Sequence, residues 1–331
     1  MKIAIIGAGW VGCHIAKTLL DKCEIDIYEK DGVFSSTSFY NQNRLHFGFH
    51  YARNQRTRNL CKETFDRFLC DYGDFVNDVH KNIYSIPYLS LLDFETYSGI
   101  YNYEKIPFNR IDLKSLRNIE GSINTKEKHI NYRGLKSYFQ DLLGSRIKKV
   151  NVNNVEDIKD QYDFVINCTN NFLHRDSQNS FYEVSLSLIY EKIGDTEFDS
   201  LTLVDGNFFS IYPYHENLYT LTDVEFTPMI TDESLDFILA YKNRVDDKLV
   251  EEKKIKIVDK VLNYFPEFNE KFKYKGYFTS IKSKTYNGSA DRYPIINRDG
   301  NVISCFTGKI QGIYIIEKEI KKILSDEIRR A

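Results

Sequence analysis

The sequence predicts a two-domain α/β protein in which a domain with a parallel sheet is interleaved with a domain built on an antiparallel sheet. Three observations support this class. A length of 331 residues exceeds that of a usual single domain, and 42% hydrophobic residues provide a sizeable core. The chain opens with a strand, a glycine-rich turn, a helix and a second strand. The middle of the chain is rich in strand patterns, and a second strand-to-helix junction lies near residue 308.

The opening pattern is typical of a Rossmann-like, dinucleotide-binding βαβ unit. The apolar strand 2–6 is followed by Gly7, Gly9 and Gly12, and an acid, Glu29, ends the next strand. In this motif the first glycine permits a tight turn and the second lets the backbone approach a pyrophosphate. The third lets the helix pack close to the strand, while the acid accepts hydrogen bonds from a ribose diol. The motif alone does not distinguish NAD from FAD.

Residues 34–57 form a long polar loop without a regular pattern, and such loops often carry function. Arg44, His46 and His50 stand out in it. In a functional interpretation the basic side chains attract an anionic substrate, and either histidine accepts a proton, because imidazole titrates near neutrality. In the alternative interpretation the arginines make ordinary ion pairs and the histidines are structural.

The remaining elements follow in order. Helices are predicted at 58–76, 135–143 and 232–265 and from residue 313, and strands at 83–91, 147–152, 163–167, 184–190, 201–204, 208–212, 218–221 and 277–284. This order predicts two interleaved domains. We expect a nucleotide-binding domain at 1–80, 131–180 and 287–331, and a substrate domain at 81–130 and 181–286.

Composition excludes several classes of protein. The 45 basic and 47 acidic residues give a net charge of −2, so we expect neither nucleic-acid binding nor attraction to anionic membranes. No apolar run is long enough to span a membrane, and no signal peptide is recognised. The six cysteines are scattered, which favours a reducing, cytoplasmic location. The seven histidines lack the spacing of metal ligands, so no metal site is expected.

Four segments together resemble the D-amino-acid oxidase superfamily of FAD enzymes. They are Gly7–Gly12 with Glu29, Leu45–Tyr51, Val261–Phe268 followed by Ser289–Ile296, and Phe306–Ile313. The second is similar to the family's flavin-contacting loop, and the last to the glycine segment that holds the flavin pyrimidine end at a helix N-terminus. The resemblance spans nearly the whole chain.

The resemblance implies non-covalent FAD and a set of cofactor-binding residues. These are Gly7, Gly9, Trp10, Val11, Gly12, Glu29, Lys30, Asn43, Arg44, Leu45, Thr169, Asn170, Gly308, Lys309, Ile310, Gln311 and Gly312. Asn170 stands where the family has glycine, and asparagine is the residue other than glycine that best tolerates a positive φ there. Lys309 is expected to stabilise the anionic reduced flavin, or else to be a surface lysine at a helix start.

The expected activity is that of an FAD-dependent oxidoreductase, an oxidase or a dehydrogenase. It would oxidise an amine or alcohol carbon of a small anionic substrate by hydride transfer to flavin N5, with His46, His50, Arg44 and Lys284 as the catalytic residues. Proteins with a loop similar to residues 41–51 are associated with surface-glycan genes. This resemblance implies a role in surface-glycan or amino-sugar metabolism. The alternatives are a redox-neutral flavin enzyme such as a sugar-nucleotide mutase, an NAD-dependent dehydrogenase, and a binding protein without chemistry.

Overall fold

The computed structural model describes residues 1–173, 180–286 and 292–330, and the chain divides into two compact units. Unit 1 comprises Met1–Phe39, Tyr132–Phe181 and Ser283–Ala331, and unit 2 comprises Tyr40–Asn131 and Tyr182–Lys282. Each unit takes segments that are far apart in the sequence, so the two are interleaved along the chain.

The described residues form the following strands and helices. The strands are β1 (Lys2–Ile6), β2 (Glu24–Tyr28), β3 (Arg44–Leu45), β4 (Val76–Asp78), β5 (Asn82–Pro87), β6 (Phe108–Ile111), β7 (Ile119–Thr125), β8 (Lys128–Ile130), β9 (Ile147–Lys148), β10 (Phe164–Asn167), β11 (Ser180–Lys192), β12 (Ser200–Leu203), β13 (Phe209–His215), β14 (Leu218–Asp223), β15 (Pro228–Asp232), β16 (Phe272–Thr285), β17 (Ile295–Asp299) and β18 (Val302–Phe306). The helices are α1 (Trp10–Leu19), α2 (Gln55–Tyr72), α3 (Phe94–Tyr103), α4 (Tyr132–Leu143), α5 (Leu235–Lys242), α6 (Asp247–Leu262), α7 (Phe268–Lys271) and α8 (Ile313–Arg330).

Unit 1 is built on a six-stranded sheet in the order β17-β18-β10-β1-β2-β9. All of its pairs are parallel except β17–β18, which is antiparallel. The central strand β1 is fully buried at Ile3, Ala4 and Ile5, which explains its unbroken apolar run. Because parallel strands end at the same edge, the segments that follow β1, β10 and β18 gather at one side of this sheet.

Unit 2 is built on a nine-stranded sheet in the order β15-β11-β14-β13-β12-β5-β7-β6, with β16 pairing β11. The pairs from β15 to β6 in this order are antiparallel apart from β5–β12, which run parallel. Helix α6 buries Val250, Ile257 and Val261 in the apolar cluster that covers this sheet. A separate three-stranded sheet, β3-β8-β4, completes unit 2. The predicted combination of a parallel and an antiparallel sheet is confirmed.

Three predicted helices have different bounds in the structure. The helix expected at 135–143 begins earlier, at Tyr132, as α4. The single helix expected at 232–265 is two helices, α5 and α6, because the Asp246 carboxylate accepts the Leu249 N–H and starts a new helix. Helix α2 begins at Gln55 instead of residue 58, since the Asn54 side chain accepts the Thr57 N–H. Helix α3 follows the N-cap Asp93 and was not predicted.

The expected domain boundary at residue 80 differs from the observed division, because residues 40–80 lie in unit 2. Strand β3 pairs with β8, with Arg44 opposite His129, and β4 pairs with the same strand. The ring of Phe47 also stacks on Phe65 of α2 at 3.9 Å. These contacts attach the loop and its following helix to the antiparallel unit.

Three further observations complete the description. All six cysteines are free thiols. Among the described residues, every helix falls short of the length or the apolar character that a bilayer crossing requires. The start of the expected Ser289–Ile296 segment, through residue 291, lies outside the described residues.

Candidate functional sites

The glycine-rich turn of unit 1 connects β1 to α1 in a conformation that only glycine permits. Gly7 has φ +99°, and a Cβ on it would come 2.9 Å from the Cys168 carbonyl oxygen. A Cβ on Gly12 would come 1.9 Å from the Gly7 carbonyl oxygen and 3.3 Å from the Ile5 side chain. The first and third glycines of the motif are therefore required by close backbone packing.

Polar groups around this turn are held in fixed orientations. The Ala8 N–H donates to Glu29 Oε2 at 2.8 Å, and the Asp31 N–H donates to Glu29 Oε1 at 2.9 Å. Helix α1 begins after Gly9 without a side-chain cap, and its Trp10 N–H donates to Ser38 Oγ at 3.0 Å. The half-buried Glu29 carboxylate keeps lone pairs for a further donor. Ser38 is a member of this site that the motif did not reveal.

The segment after β10 makes the turn expected of it. Asn170 and Asn171 have φ +59° and +64°, so asparagine does occupy the left-handed conformation at the position predicted for it. The Asn167 side-chain oxygen accepts hydrogen bonds from the N–H of Thr169, at 3.2 Å, and from its hydroxyl, at 2.7 Å. The Ser283 hydroxyl donates to the Asn170 carbonyl at 2.6 Å. These bonds fix the chain at the carboxyl edge of the parallel sheet.

The glycine segment after β18 leads into α8 through a short 3₁₀ turn, Ile310–Gly312. A Cβ on Gly312 would come 2.0 Å from Thr307 Oγ1, and one on Gly308 would come 2.9 Å from the Arg292 side chain. Gln311 is buried, whereas Lys309 is half-buried. Packing at the N-terminus of α8 therefore requires glycine at 312, whereas the contact at Gly308 is with a flexible side chain.

The remaining cofactor-binding residues predicted from the sequence occupy varied environments. The Trp10 ring packs between Phe34 and Phe139 of unit 1, so its side chain serves the core. Lys30 is exposed and lies 3.9 Å from Asp31. Asn43 and Leu45 are buried in unit 2. Their roles in binding a cofactor stay predictions.

Unit 2 contains a buried charge cluster around Arg44, whose side chain is almost completely enclosed. Its guanidinium donates to the hydroxyls of Tyr84 at 2.7 Å, Thr202 at 3.1 Å and Ser210 at 2.9 Å. It also lies 3.8 Å from the centre of the Tyr212 ring. These contacts enclose the charged guanidinium of Arg44 within unit 2. They do not favour the predicted roles of Arg44 as a flavin contact and as a ligand of a substrate anion.

Glu127 is the counter-ion of this cluster and is 0% exposed. Its Oε1 accepts the backbone N–H groups of Phe47 at 2.8 Å, Gly48 at 3.2 Å and Phe49 at 3.4 Å. Its Oε2 accepts the Tyr84 hydroxyl at 2.5 Å and lies 3.8 Å from Arg44 Nη1. Burial alone would raise the pKa of Glu127. His46, Arg44 and the Tyr84 hydroxyl outweigh it and lower the pKa to about 2.

Both predicted histidines adjoin this carboxylate. His46 Nδ1 lies 3.5 Å from Glu127 Oε1, and His50 Nδ1 lies 2.6 Å from the Tyr84 hydroxyl oxygen. The two rings meet edge to face with centres 4.9 Å apart. His46 is buried and His50 half-buried. The structure therefore brings Arg44, His46 and His50 together around a glutamate and a tyrosine that the sequence analysis did not single out.

The ligand atoms of His46, His50 and Glu127 all lie within 4.8 Å of one another, which is close enough to consider a metal ion. The carboxylate is already engaged, since three backbone N–H groups and the Tyr84 hydroxyl bind its two oxygens. The Arg44 guanidinium would also repel a second cation at this distance. These contacts favour a hydrogen-bonded cluster over a metal centre.

A third histidine, His129 on β8, lies beside the cluster and is 7% exposed. Its Nε2 has no hydrogen-bond partner among the described residues. Burial, then the charges of Arg44 and His215, lower the pKa of His129 from 6.5 to about 4. His129 is therefore neutral at physiological pH.

The predicted cations of unit 1 lie on separate elements. Lys284 is half-buried near the end of β16, and Lys309 lies just before the 3₁₀ turn. Arg53, another basic residue of the loop, is paired with Asp205 at 2.8 Å in unit 2. The catalytic role of Lys284 stays a prediction.

Comparisons with known proteins agree with these features. No family model matches the chain. The FAD-dependent monooxygenase FPY4 of Fusarium mangiferae is 31% identical over 340 residues, which cover 98% of this chain and 91% of that protein. The FAD-dependent monooxygenase kojA of Aspergillus flavus is 23% identical over 374 residues, which cover 100% of this chain and 87% of that protein.

Among solved structures, the glycine oxidase of Geobacillus kaustophilus is similar with a TM-score of 0.73 at 12% identity. The match covers 99% of this chain and 94% of the glycine oxidase. This likeness shows the fold alone.

Proposed function

This chain belongs to the FAD-dependent oxidoreductases of the D-amino-acid-oxidase-like family, and we propose that it oxidises an amine or alcohol carbon of a small molecule, with His50 or His46 accepting the proton. The observation that supports this finer assignment is the buried Arg44–Glu127–Tyr84 cluster, which orients both imidazoles. A proton acceptor must be held within reach of the group whose proton it takes.

The residues of unit 1 fit FAD. Gly7 and Gly12 leave no room for a side chain, as a turn that admits a pyrophosphate requires. The first turn of α1 offers backbone N–H groups without intrahelical partners. The Glu29 carboxylate is oriented by two backbone N–H groups and would accept the ribose hydroxyls. When bound, FAD supplies the isoalloxazine that accepts a hydride from the substrate carbon.

In the part of unit 2 that we assign to catalysis, Arg44 and Glu127 carry opposite charges. Glu127 offsets the charge of Arg44, so this pair does not attract an anion by net charge. A preference for an anionic substrate therefore rests on Lys284 and Lys309 and not on Arg44. His50, half-buried, is the better placed of the two imidazoles to meet a substrate.

The names of the two fungal relatives favour a second candidate function, monooxygenation. In that reaction a nicotinamide nucleotide reduces the flavin, and one oxygen atom of O₂ enters the substrate. The two functions differ in the source of the electrons. Substrate alone reduces the flavin of an oxidase under anaerobic conditions, whereas a monooxygenase of this kind needs NADH or NADPH.

The purified protein should be yellow and release FAD on denaturation. Glu29→Ala should weaken FAD binding by about 1–3 kcal/mol, which is about 5- to 150-fold in Kd, because a charge-assisted hydrogen bond is lost. Glu24→Ala removes an exposed carboxylate at the other end of the same strand, β2, and serves as the matched control. Unchanged FAD retention in Glu29→Ala would show that this carboxylate does not hold the ribose. A colourless protein that binds NADH and takes up no FAD would contradict FAD binding by this chain.

The reaction is tested by mixing the holoprotein anaerobically with a panel of amino acids, amines and hydroxy acids. Bleaching of the flavin absorbance by one of them supports the proposed oxidation. His50→Gln and His46→Gln should then show which imidazole accepts the proton, since the rate should fall about 10²–10⁴-fold in the variant that lacks it. Bleaching only by NADH or NADPH, with incorporation of labelled oxygen, would favour monooxygenation instead.

A further inference from the structure

We propose that Tyr84 and Glu127 are positioning residues that hold neutral His50 with its hydrogen on Nδ1, which leaves Nε2 as the ring nitrogen that accepts a proton. The use of that nitrogen in catalysis rests on the proposed function. The assignment of the hydrogen rests only on the contacts within unit 2.

The Tyr84 hydroxyl has three polar neighbours. Arg44 Nη1 lies at 2.7 Å, Glu127 Oε2 at 2.5 Å and His50 Nδ1 at 2.6 Å. A hydroxyl has one hydrogen to donate and two lone pairs that accept. The three neighbours therefore use its full capacity, and each bond must have one direction.

Two of the directions are fixed by charge. A guanidinium can only donate, so the bond from Arg44 occupies one lone pair of the hydroxyl oxygen. An ionised carboxylate can only accept, so the single hydrogen of Tyr84 points to Glu127. Glu127 is ionised because its pKa is about 2, and burial raises the pKa of Tyr84 well above its ordinary value, which keeps the phenol neutral.

The third direction follows from the first two. Only one lone pair of the Tyr84 oxygen remains for His50, so Nδ1 must be the donor and must carry a hydrogen. In the neutral ring the other nitrogen, Nε2, then has the lone pair. This form is the less favoured one for a free imidazole in water, so the protein environment must select it.

The carboxylate that sets these directions cannot turn away. Its other oxygen, Oε1, accepts three successive backbone N–H groups from Phe47, Gly48 and Phe49. This loop turn lies between His46 and His50, so the same glutamate fixes the backbone that carries both rings. Glu127 thereby sets the position of His50 through the chain and its hydrogen through Tyr84.

The experiment is a long-range ¹H–¹⁵N correlation spectrum of holoprotein labelled with [¹⁵N]histidine, recorded where the histidine rings are neutral. The seven histidines give few signals, and His50→Gln identifies those of His50. We expect the Nδ1–H form in the unmodified protein. In Tyr84→Phe the acceptor is lost, and His50 should change to the Nε2–H form.

The matched control is Tyr97→Phe. It removes another buried hydroxyl of unit 2, which donates to the Phe49 carbonyl at 2.6 Å, and should leave the His50 signals in the Nδ1–H form. Finding His50 as Nε2–H in the unmodified protein would overturn the proposal, and this measurement needs no variant to fold. Persistence of Nδ1–H in Tyr84→Phe would also overturn it. Because the spectrum reports no turnover, a failure of the proposed oxidation would show itself separately, in the flavin-reduction assay.

Discussion

His129 should make unit 2 sensitive to mild acid. The ring is buried beside Arg44, which lies opposite it in the β3–β8 pair, and its pKa falls from 6.5 to about 4. In the unfolded chain His129 takes up a proton near pH 6.5, whereas in the folded protein it does so only near pH 4. Between these values the unfolded state binds more protons, so the free energy of unfolding falls as the pH falls. Above pH 6.5 the effect vanishes.

The size of the effect follows from the two pKa values. Each pKa unit corresponds to about 1.4 kcal/mol, so His129 should lower the free energy of unfolding by about 2 kcal/mol at pH 5 and about 3 kcal/mol at pH 4. The total stability of a protein is typically about 5–15 kcal/mol, so a loss of this size is readily measured.

The assay is urea unfolding followed by circular dichroism at several pH values between 4 and 7.5. His129→Asn retains a donor near the position of Nδ1 but does not titrate in this range, so its stability should fall less steeply below pH 6.5. His80→Asn replaces an exposed histidine of the same unit and should follow the curve of the unmodified protein. If His129→Asn follows that curve as well, the reasoning from burial and the Arg44 charge is refuted.

Three further outcomes are expected. Gly12→Ala should lower the free energy of unfolding by at least about 2 kcal/mol, because its Cβ would collide with backbone atoms. Gly99→Ala, which has open space around it in α3, should raise the free energy of unfolding by about 0.5–1 kcal/mol. Equal effects of the two variants in urea unfolding would contradict this. Arg44→Met should lower the free energy of unfolding by about 3–5 kcal/mol, because Glu127 is left buried without its cation. Adding Glu127→Gln should recover part of this loss. A double variant less stable than Arg44→Met would be inconsistent with a paired charge. Asn170→Ala should lower the free energy of unfolding by about 1–2 kcal/mol because of the positive φ at this position, and Asn170→Gly should lower it much less. Thermal midpoints in the opposite order would exclude backbone strain as the reason.

The parallel unit was predictable because its sequence signals arise from local sterics. The spacing of Gly7 and Gly12 reflects a backbone-to-backbone approach within one turn, and any sequence that makes this turn must place glycine there. Asn170 was predictable for the same reason, since a positive φ restricts the choice of residue. These constraints act over a few residues and can therefore be recognised without a structure.

The charge cluster of unit 2 could not be predicted in this way. Glu127 lies between Lys126 and Lys128, a pattern typical of an exposed turn, yet its side chain is fully buried. The partners of Glu127 are separated from it by 43 to 83 positions in the sequence, so no local pattern reveals them. Tyr84 is one of 24 tyrosines and carries no local signal. Arg44 was recognised as important from its loop, but its partners, and so its role, depend on the tertiary fold.

The division of the chain also determines the order in which its parts can fold during synthesis. The parallel sheet of unit 1 needs β1, β10 and β18, so it stays incomplete until residue 306 has been made. Unit 2 ends at residue 282 and has all its strands earlier, although it begins later. Domains generally form from the N-terminal end as the ribosome proceeds. Here β1 can pair with β2 and, once residue 167 has been made, with β10, whereas β18 is made only after the strands of the other unit. The edge of β10 that pairs with β18 therefore stays open while the other unit is completed.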